Sequence, residues 1–415
     1  MLREGHPAVQ GALLSLGIQT LPRKTLLENL HITLTFNKCC SIINMDVCIH
    51  QSNPWEDRFV LDKLNLNLSR DIGIDLGTCS VLVHVDGKGI VLNEPSVVAM
   101  DTTTDKVVKV GKEALAMIGR TPDHITTMRP LKNGVISQYD VTLHMLQYFI
   151  RRACGNTVFR PRVMIGVPTG ITEVEERAVL DAAAEAGARK TFLLEEPKAA
   201  LMGAGVDINS PIGNMIVDVG GGTTDIAVVA MGGIVVSESV KIAGDKFDQA
   251  IMQYVRRQYN LLIGERTAEA IKIQIGAVYD HGEAKTISVK GRDLGTGMPR
   301  VITLSSKEMM EAMIEPVTAI LDSVCAIIER TPPDLLGDIL KNGIYMSGGG
   351  SLLYGLDKLI TRVTGIKTTV AKNPISCVAL GTGKYLSTIG QFRDVTQGLT
   401  RDADTKPNQK QGTKK

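Results

Sequence analysis

The sequence predicts an α/β fold of layered sheets covered by helices, and three observations predict it. Short β-favouring hydrophobic runs alternate with longer stretches of helical periodicity. One acidic, glycine-rich pattern occurs twice, as Asp71-Ile72-Gly73-Ile74-Asp75-Leu76-Gly77-Thr78 and as Val217-Asp218-Val219-Gly220-Gly221-Gly222-Thr223-Thr224-Asp225. A further cluster, Ser347-Gly348-Gly349-Gly350-Ser351, follows the short strand Gly343 to Met346 and precedes an apolar run at Leu352. At 415 residues the chain exceeds one ordinary core, so two or more domains are expected.

Taken in chain order, residues 1–69 carry no sustained period. Leu13 to Leu34 is mildly hydrophobic but broken by Pro22, and a strong strand signal begins only at Asp71. This extension is expected to be loosely structured or to be translated upstream of the natural start; a membrane or partner segment over Ser15 to Leu30 is the alternative. Each copy of the repeat runs from a strand through a tight turn into another hydrophobic run, Val81 to Val85 and Ile226 to Val229, so its glycines belong in hairpin loops. Val163 to Val167 reads as a compact strand. Thr172 caps the next helix, with Glu175 completing a capping box and Gly187 stopping it. Phe247, Ile251, Tyr254 and Val255 mark an amphipathic helix over Asp245 to Tyr259. A longer helix from Met309 to Ile328 is capped by Ser305 and bent or interrupted at Pro316; its methionines read as packing, not ligands. Arg401 to Lys415 is polar and aperiodic, as expected of a solvated tail.

Charge and composition narrow the function. Apolar residues make up 44% and charged residues 22% of the chain, as in ordinary folded proteins, and a formal net charge of +2 argues against a nucleic-acid binder. Seven cysteines, without metal-type spacing, favour free thiols in a reducing compartment. No run reaches the ~20 apolar residues of a membrane span, and the start lacks a secretory signal layout, so the expected location is the cytoplasm.

The glycine turns point to phosphate chemistry. A missing side chain lets backbone N–H groups approach an anion, and two such loops facing each other could clamp a nucleotide from both sides. An Asp beside each loop could hold a hydrated divalent cation, because Mg²⁺ prefers carboxylates and waters together with phosphate oxygens. The third cluster reads either as a helix entry after a buried strand or as a flat surface against base or ribose.

The order of these loops resembles the superfamily of actin, sugar kinases and seventy-kilodalton heat-shock ATPases, and within it the bacterial actin-like MreB/Mbl cell-shape family. The resemblance covers about residues 70 to 393. Besides the three loops it rests on Gly87-Lys-Gly-Ile-Val-Leu-Asn-Glu-Pro-Ser-Val-Val98, Met117-Ile-Gly-Arg-Thr-Pro122, Arg129-Pro-Leu-Lys-Asn-Gly-Val-Ile136, Gly170-Ile-Thr172, Val174-Glu-Glu-Arg-Ala178, Leu194-Glu-Glu-Pro197, Gly264-Glu-Arg-Thr-Ala-Glu269 and Arg330-Thr-Pro-Pro333. It implies an actin-like ATPase fold, with two related RNase H-like domains around a nucleotide cleft. Domain I would span 71–211, with subdomain IB at about 98–131, and domain II 212–380, with IIB at about 248–311. Residues 381–400 would return to IA. The chain departs from the family's usual Thr-Ala-Asn with Thr78-Cys79-Ser80, and from Thr-Thr-Glu with Thr223-Thr224-Asp225, which keeps the charge on a shorter stem.

What the resemblance implies about residues adds to their chemistry. ATP would lie between the donors of Gly77, Thr78, Cys79 and Ser80 and those of Gly220, Gly221, Gly222, Thr223 and Thr224, with Gly348, Gly349 and Gly350 as a third wall. Asp75 and Asp218 would face Mg²⁺. Glu196 would orient the attacking water, helped by Thr223; otherwise Glu195 and Glu196 simply favour the start of the next helix. Glu265, Thr267, Glu269 and Lys272 would lie at the adenosine, although Glu269 and Lys272 could instead form a surface pair worth ~0.2–0.5 kcal/mol. Val158 and Phe159 would insert into the inner leaflet, ringed by Arg151, Arg152, Arg160 and Arg162; the alternative is a Phe plugging the sheet edge. Each basic group near an anionic membrane contributes about 1 kcal/mol, and each apolar side chain ~1.5–3 kcal/mol if fully buried, so a filament would be needed to sum weak contacts. The function implied is a slow, Mg-dependent ATPase that forms membrane-associated filaments at the inner face of the cell membrane. With itself and the cell-wall elongation machinery as partners, it would set a rod-like shape. A monomeric chaperone-type ATPase and a low-turnover nucleotide-dependent scaffold are the alternatives.

Overall fold

The computed structural model describes residues 32–34, 45–47, 71–155, 160–280, 282–389 and 400–402. The chain divides into two compact units, Met1–Leu66 and Asn67–Lys415. In the first, the described residues are two short strands, Ile32–Leu34 and Met45–Val47, paired antiparallel. The Ser15 to Leu30 segment lies outside the described residues. All other elements belong to the second unit.

Its first sheet is built on an antiparallel meander of β1 (Asp71–Leu76), β2 (Ser80–Val85) and β3 (Gly89–Pro95). Two further strands, β4 (Arg162–Val167) and β5 (Lys190–Glu195), lie parallel to β1, giving the order β5-β4-β1-β2-β3. Thr400–Asp402 pairs antiparallel with Lys190–Phe192 at the free edge, so Arg401 and Asp402, expected in the polar tail, extend the sheet. The second sheet repeats the plan. Its meander is β6 (Asn214–Val219), β7 (Thr224–Ala230) and β8 (Gly233–Val240), and β9 (Ile344–Ser347) and β10 (Thr368–Val370) follow in parallel. The order β10-β9-β6-β7-β8 matches the first sheet strand for strand.

Helices cover the sheets because apolar positions recur on their inward faces. Helix α1 (Tyr139–Cys154) buries Met145, Leu146 and Phe149 against Ile72, Ile74, Val81 and Val163. Helix α2 (Glu173–Glu185) starts at the expected capping box, in which the Glu175 N–H donates to Thr172 Oγ1 while the Thr172 N–H donates to Glu175. Helix α3 (Glu196–Ala204) and the helix Cys377–Ile389 fill the space between the sheets; their buried residues share one core with Met164, Phe192 and Leu194 of the first sheet and Ile216, Ala227 and Val229 of the second. Helix α4 (Gly244–Tyr259) buries Phe247, Ile251, Tyr254 and Val255 against the second sheet's outer core.

Two smaller three-stranded sheets are inserted. One, of Val98–Asp101, Lys106–Val110 and Ile125–Met128, lies between β3 and β4 in sequence; the other, of Leu261–Leu262, Thr286–Asp293 and Pro299–Ser305, lies between β8 and β9. The long methionine-bearing helix is two helices, Ser306–Ala312 and Ile314–Arg330, with the Ser305 capping box at the start. The break falls at Met313, earlier than Pro316, because a proline ring clashes with the carbonyl four residues before it, here that of Ala312.

Candidate functional site

The two glycine loops occupy equivalent hairpins, β1–β2 and β6–β7, and they meet. A Cβ at Gly222 would lie 2.6 Å from Thr78 Oγ1, and one at Gly221 would overlap the Cys79 side chain, so only glycine permits this approach. The first loop is fixed from outside: Ser96 Oγ donates to the Gly77 carbonyl (2.6 Å), the Gly134 N–H to Thr78 Oγ1 (2.9 Å), and the Ser96 N–H to the Cys79 carbonyl (3.0 Å). The second is pinned to the start of α4, where the Asp245 N–H donates to the Gly221 carbonyl (2.8 Å). After β9, Gly348 turns at φ +79°, where a Cβ would overlap the Val219 carbonyl oxygen; Gly349–Leu352 then forms one 3₁₀ turn.

Between the loops lies a cavity of about 850 Å³. Asp75, Gly77, Thr78, Cys79 and Ser80 line one side, and Asp218, Gly220, Gly221, Gly222 and Thr223 line the other. Gly348, Gly349 and Gly350, together with Glu196, Glu269 and Lys272, complete it. Three expected contacts fall elsewhere. Thr224 is fully buried and gives its hydroxyl to the Ile242 carbonyl, 2.6 Å away, because strand alternation turns it off the cavity. Glu265 and Thr267 sit in the first turn of helix α5 (Glu265–Ile275) and line a second cavity of about 1020 Å³ that also takes in Arg120, Arg129, Arg266 and Lys290. The bases of the two roles thus separate along one helix, with Glu269 and Lys272 reaching the first cavity a turn later.

Four carboxylates, Asp75, Glu196, Asp218 and Asp225, lie near one another beside the glycine loops, and every one is held above its ordinary range. Burial, then the charge of Asp218, pushes Asp75 up to about 8. Burial lifts Asp218 to about 7, opposed by the Ser347 hydroxyl that donates to it at 2.9 Å. Glu196 stands well above the carboxylate range, through burial first and then the charges of Asp225, Asp75 and Asp218. Asp225 is raised by burial, against the hydrogen bonds it accepts from Thr169, Ser239 and Thr223. A cluster of this kind favours a cation. Among the described residues no three or more His, Cys, Asp or Glu side chains form a ready-made metal cage. Asp75 and Asp218 both line the cavity and could face an ion such as Mg²⁺ that keeps waters and phosphate oxygens in its shell.

At the other end of the cavity Lys272 is already engaged. Its Nζ donates to Asp248 Oδ2 (2.8 Å) and to the Gly244 carbonyl (3.0 Å), so its salt bridge runs to α4 and not to Glu269 one turn away. The Cys79 thiol donates to Asp245 Oδ1 (3.1 Å) across the cleft; burial and that carboxylate push it up to about 12. Ser347 stood in the third glycine cluster, but Asp245, Asp248 and Thr169 are site residues that the motifs did not single out. Their partners lie far away in sequence or on another element, and only Asp245 and Asp248 carried a signal, standing just past the Ala243-Gly244 turn into α4.

Val158 and Phe159 lie outside the described residues. The basic ring expected around them is partly spent on ion pairs. Arg152 Nη1 donates to Glu94 Oε1 (2.9 Å), and Arg162 binds Asp71 in two-pronged fashion, through Nε (2.8 Å) and Nη2. Arg151 and Arg160 are exposed. No helix among the described residues is long and apolar enough to cross a membrane.

Two sheets of identical strand order, joined by a shared helical core and facing a glycine-walled cleft, define an actin-like fold. The structure superposes with a TM-score of 0.75 on the crystal structure of MreB5 of Spiroplasma citri bound to ADP, at 37% identity over 78% of this chain and 98% of that one. The same protein bound to AMPPNP gives the same TM-score at 38% identity. The MamK double helical filament shares the fold, with a TM-score of 0.66 at 24% identity. Residues 69–394 match the family described as MreB/Mbl protein. The cell shape-determining protein Mbl of Bacillus subtilis (strain 168) is 52% identical over 325 residues, covering 78% of this chain and 98% of that protein. The cell shape-determining protein MreB of Escherichia coli (strain K12) is 48% identical over 336 residues, covering 80% and 97%. The chain belongs to the MreB/Mbl family.

Proposed function

We propose that this chain binds ATP with Mg²⁺ in the cleft between its two sheets, hydrolyses it slowly, and polymerises into filaments that lie on the inner face of the cell membrane. There it would organise cell-wall synthesis and set a rod-like cell shape. The observation that carries the reading is the pair of touching glycine loops with a cavity-lining Asp beside each, Asp75 half-buried and Asp218 buried. The relatives' names as cell shape-determining proteins and the ADP and AMPPNP complexes of MreB5 support it.

In this reading the backbones of Gly77 to Ser80 and Gly220 to Thr223 grip the phosphates, and Gly348 to Gly350 flank the nucleoside. Mg²⁺, when bound, supplies positive charge against the phosphate oxygens. Asp75 and Asp218 hold its position. Glu196 accepts a hydrogen bond from the attacking water and then its proton, with the Thr223 hydroxyl orienting the same water. Lys272, held by Asp248, and Glu269 lie at the adenosine end. Val158 and Phe159 touch the lipid weakly per subunit, and a filament sums those contacts.

Electron microscopy of the purified protein with ATP and Mg²⁺ on anionic lipid tests polymerisation and attachment together. Filaments lying on the lipid are expected; dispersed particles with ATP bound would reduce the protein to a nucleotide-binding monomer.

A further inference from the structure

Asp225 lies outside the cavity yet ties together the elements that build it. It is 1% exposed on β7, two residues past Thr223. Its Oδ1 accepts the Thr169 N–H at 3.0 Å and the Thr169 hydroxyl at 3.3 Å, and its carboxylate is also hydrogen-bonded by the side chains of Ser239 and Thr223. Thr169 belongs to the other half of the molecule. It stands two residues beyond β4, whose last residue Val167 pairs in register with Glu195, and Glu196 follows directly. Neither Thr169 nor Asp225 lines the cavity, whereas Glu196 and Thr223 do. A short path therefore runs from Glu196, which follows β5, through the β5–β4 pair to Thr169, across to Asp225 on β7, and on to the Thr223 hydroxyl in the loop before it.

We propose that Asp225 is a positioning residue for hydrolysis, a bolt that fixes the Thr169 turn of one sheet to the phosphate loop of the other and so sets Glu196 and Thr223 at a constant separation. The proposal rests on the reading that Glu196 and Thr223 act on a nucleotide in this cleft. Two groups that must converge on one water from different sheets tolerate little error, since a displacement of ~1 Å costs ~10²-fold in rate. The Asp225 bond, buried and made to a backbone amide, fixes the two elements to each other at the point nearest these groups. Its short stem suits the role, because a strand-borne carboxylate with one methylene has few rotamers and holds its partner at a defined distance.

The test compares D225A, which leaves the Thr169 amide unpartnered, with D225N, which keeps one oxygen for it and drops the charge. Single-turnover phosphate release from ATP should fall ~10²-fold in D225A, while the dissociation constant of a fluorescent ATP analogue changes less than ~3-fold; D225N should stay within ~10-fold of the parent rate. Hydrogen–deuterium exchange over residues 167–171 should quicken in D225A and stay parent-like in D225N. Should D225A lose its cooperative melt, D225S takes its place, since its hydroxyl can serve Ser239 but is too short to reach Thr169. Parent-like release in D225A, equal losses of affinity and rate, or a D225N as slow as D225A would each overturn the proposal, the last by assigning the effect to charge. If the parent itself releases no phosphate, the functional reading fails instead, and the exchange measurement alone decides whether Asp225 is the bolt.

Discussion

Replacing Asp218 with Asn removes one of the clustered carboxylates while keeping its shape and an oxygen for the Ser347 hydroxyl 2.9 Å away. Asp218 titrates at about 7 in the folded chain against an ordinary 3.8, so the folded chain binds its proton more tightly than the unfolded chain does. For a carboxylate raised in this way, stability is greatest below the unfolded value and is lost as pH climbs toward the folded one. Between pH 5 and pH 7 this one group costs about 2 kcal/mol, and Asp75, at about 8, acts with the same sign over a window reaching higher. A folded unit of this length loses roughly 1.5–2 °C of Tm per kcal/mol, so the Asp218 share is ~3–4 °C. The nucleotide-free parent should therefore melt lower at pH 7 than at pH 5, and D218N should flatten that slope and melt above the parent at pH 7. Mg²⁺-ATP should reverse the order, because a ligand stabilises in proportion to its affinity and D218N has lost a carboxylate that faces the cation. Scanning fluorimetry over pH 5 to 8, with and without Mg²⁺-ATP, reads both effects. A D218N that melts below the nucleotide-free parent at pH 7, or that gains as much from Mg²⁺-ATP, would refute the electrostatic reasoning.

Three further outcomes are expected. E196Q should bind a fluorescent ATP analogue like the parent but release phosphate ~10²-fold more slowly in a single turnover; equal rates would move the acceptor role to another residue. The double substitution V158S/F159S should lose most co-sedimentation with anionic liposomes while keeping ATP binding and a cooperative melt, and parent-like sedimentation would shift attachment toward Ser15 to Leu30. F247A, which empties a fully buried site under the second sheet, should cost ~3–5 kcal/mol in denaturant unfolding; a loss under ~1 kcal/mol would mean that α4 is not packed as described.

What could be read from the sequence was local. The capping box at Thr172 and the cap at Ser305 depend on residues within one turn, and the structure has both, with Glu308 completing a box at Ser305 as well. The glycine loops announced their hairpins because the strands on either side are contiguous in the chain. Partners chosen by sheet packing left no such trace. Lys272 had Glu269 at helical spacing, yet its ammonium goes to Asp248, 24 residues away, because α4 and α5 pack side by side there. Arg152 and Arg162 read as part of a basic ring around Val158 and Phe159, but β3 and β1 bring Glu94 and Asp71 to them. Thr224 carries the same hydroxyl as Thr223, but Thr224 opens β7 and turns its hydroxyl to the Ile242 carbonyl, whereas Thr223, in the loop before it, lines the cavity. Helix α5 is helical as expected, but its first turn opens onto a different cavity from its second.

The duplicated architecture explains part of the site and isolates the rest. Because both sheets share one strand order, Asp75 and Asp218 occupy equivalent places beside equivalent turns, and two facing loops with one carboxylate each follow from the repeat alone. The hairpins differ in what stands opposite those carboxylates. Asp75 pairs across its hairpin with Leu82, an apolar core residue, whereas Asp218 pairs with Asp225. A second buried carboxylate on a strand opposite the first is a cost that folding alone would remove, since two like charges in one low-dielectric site repel and each must shed its water. Asp225 is held there by hydrogen bonds, and the partner that reaches it from outside the second sheet is Thr169. The departure from symmetry thus coincides with a buried bond between the halves, one that the second hairpin makes and that has no equivalent at Leu82 in the first.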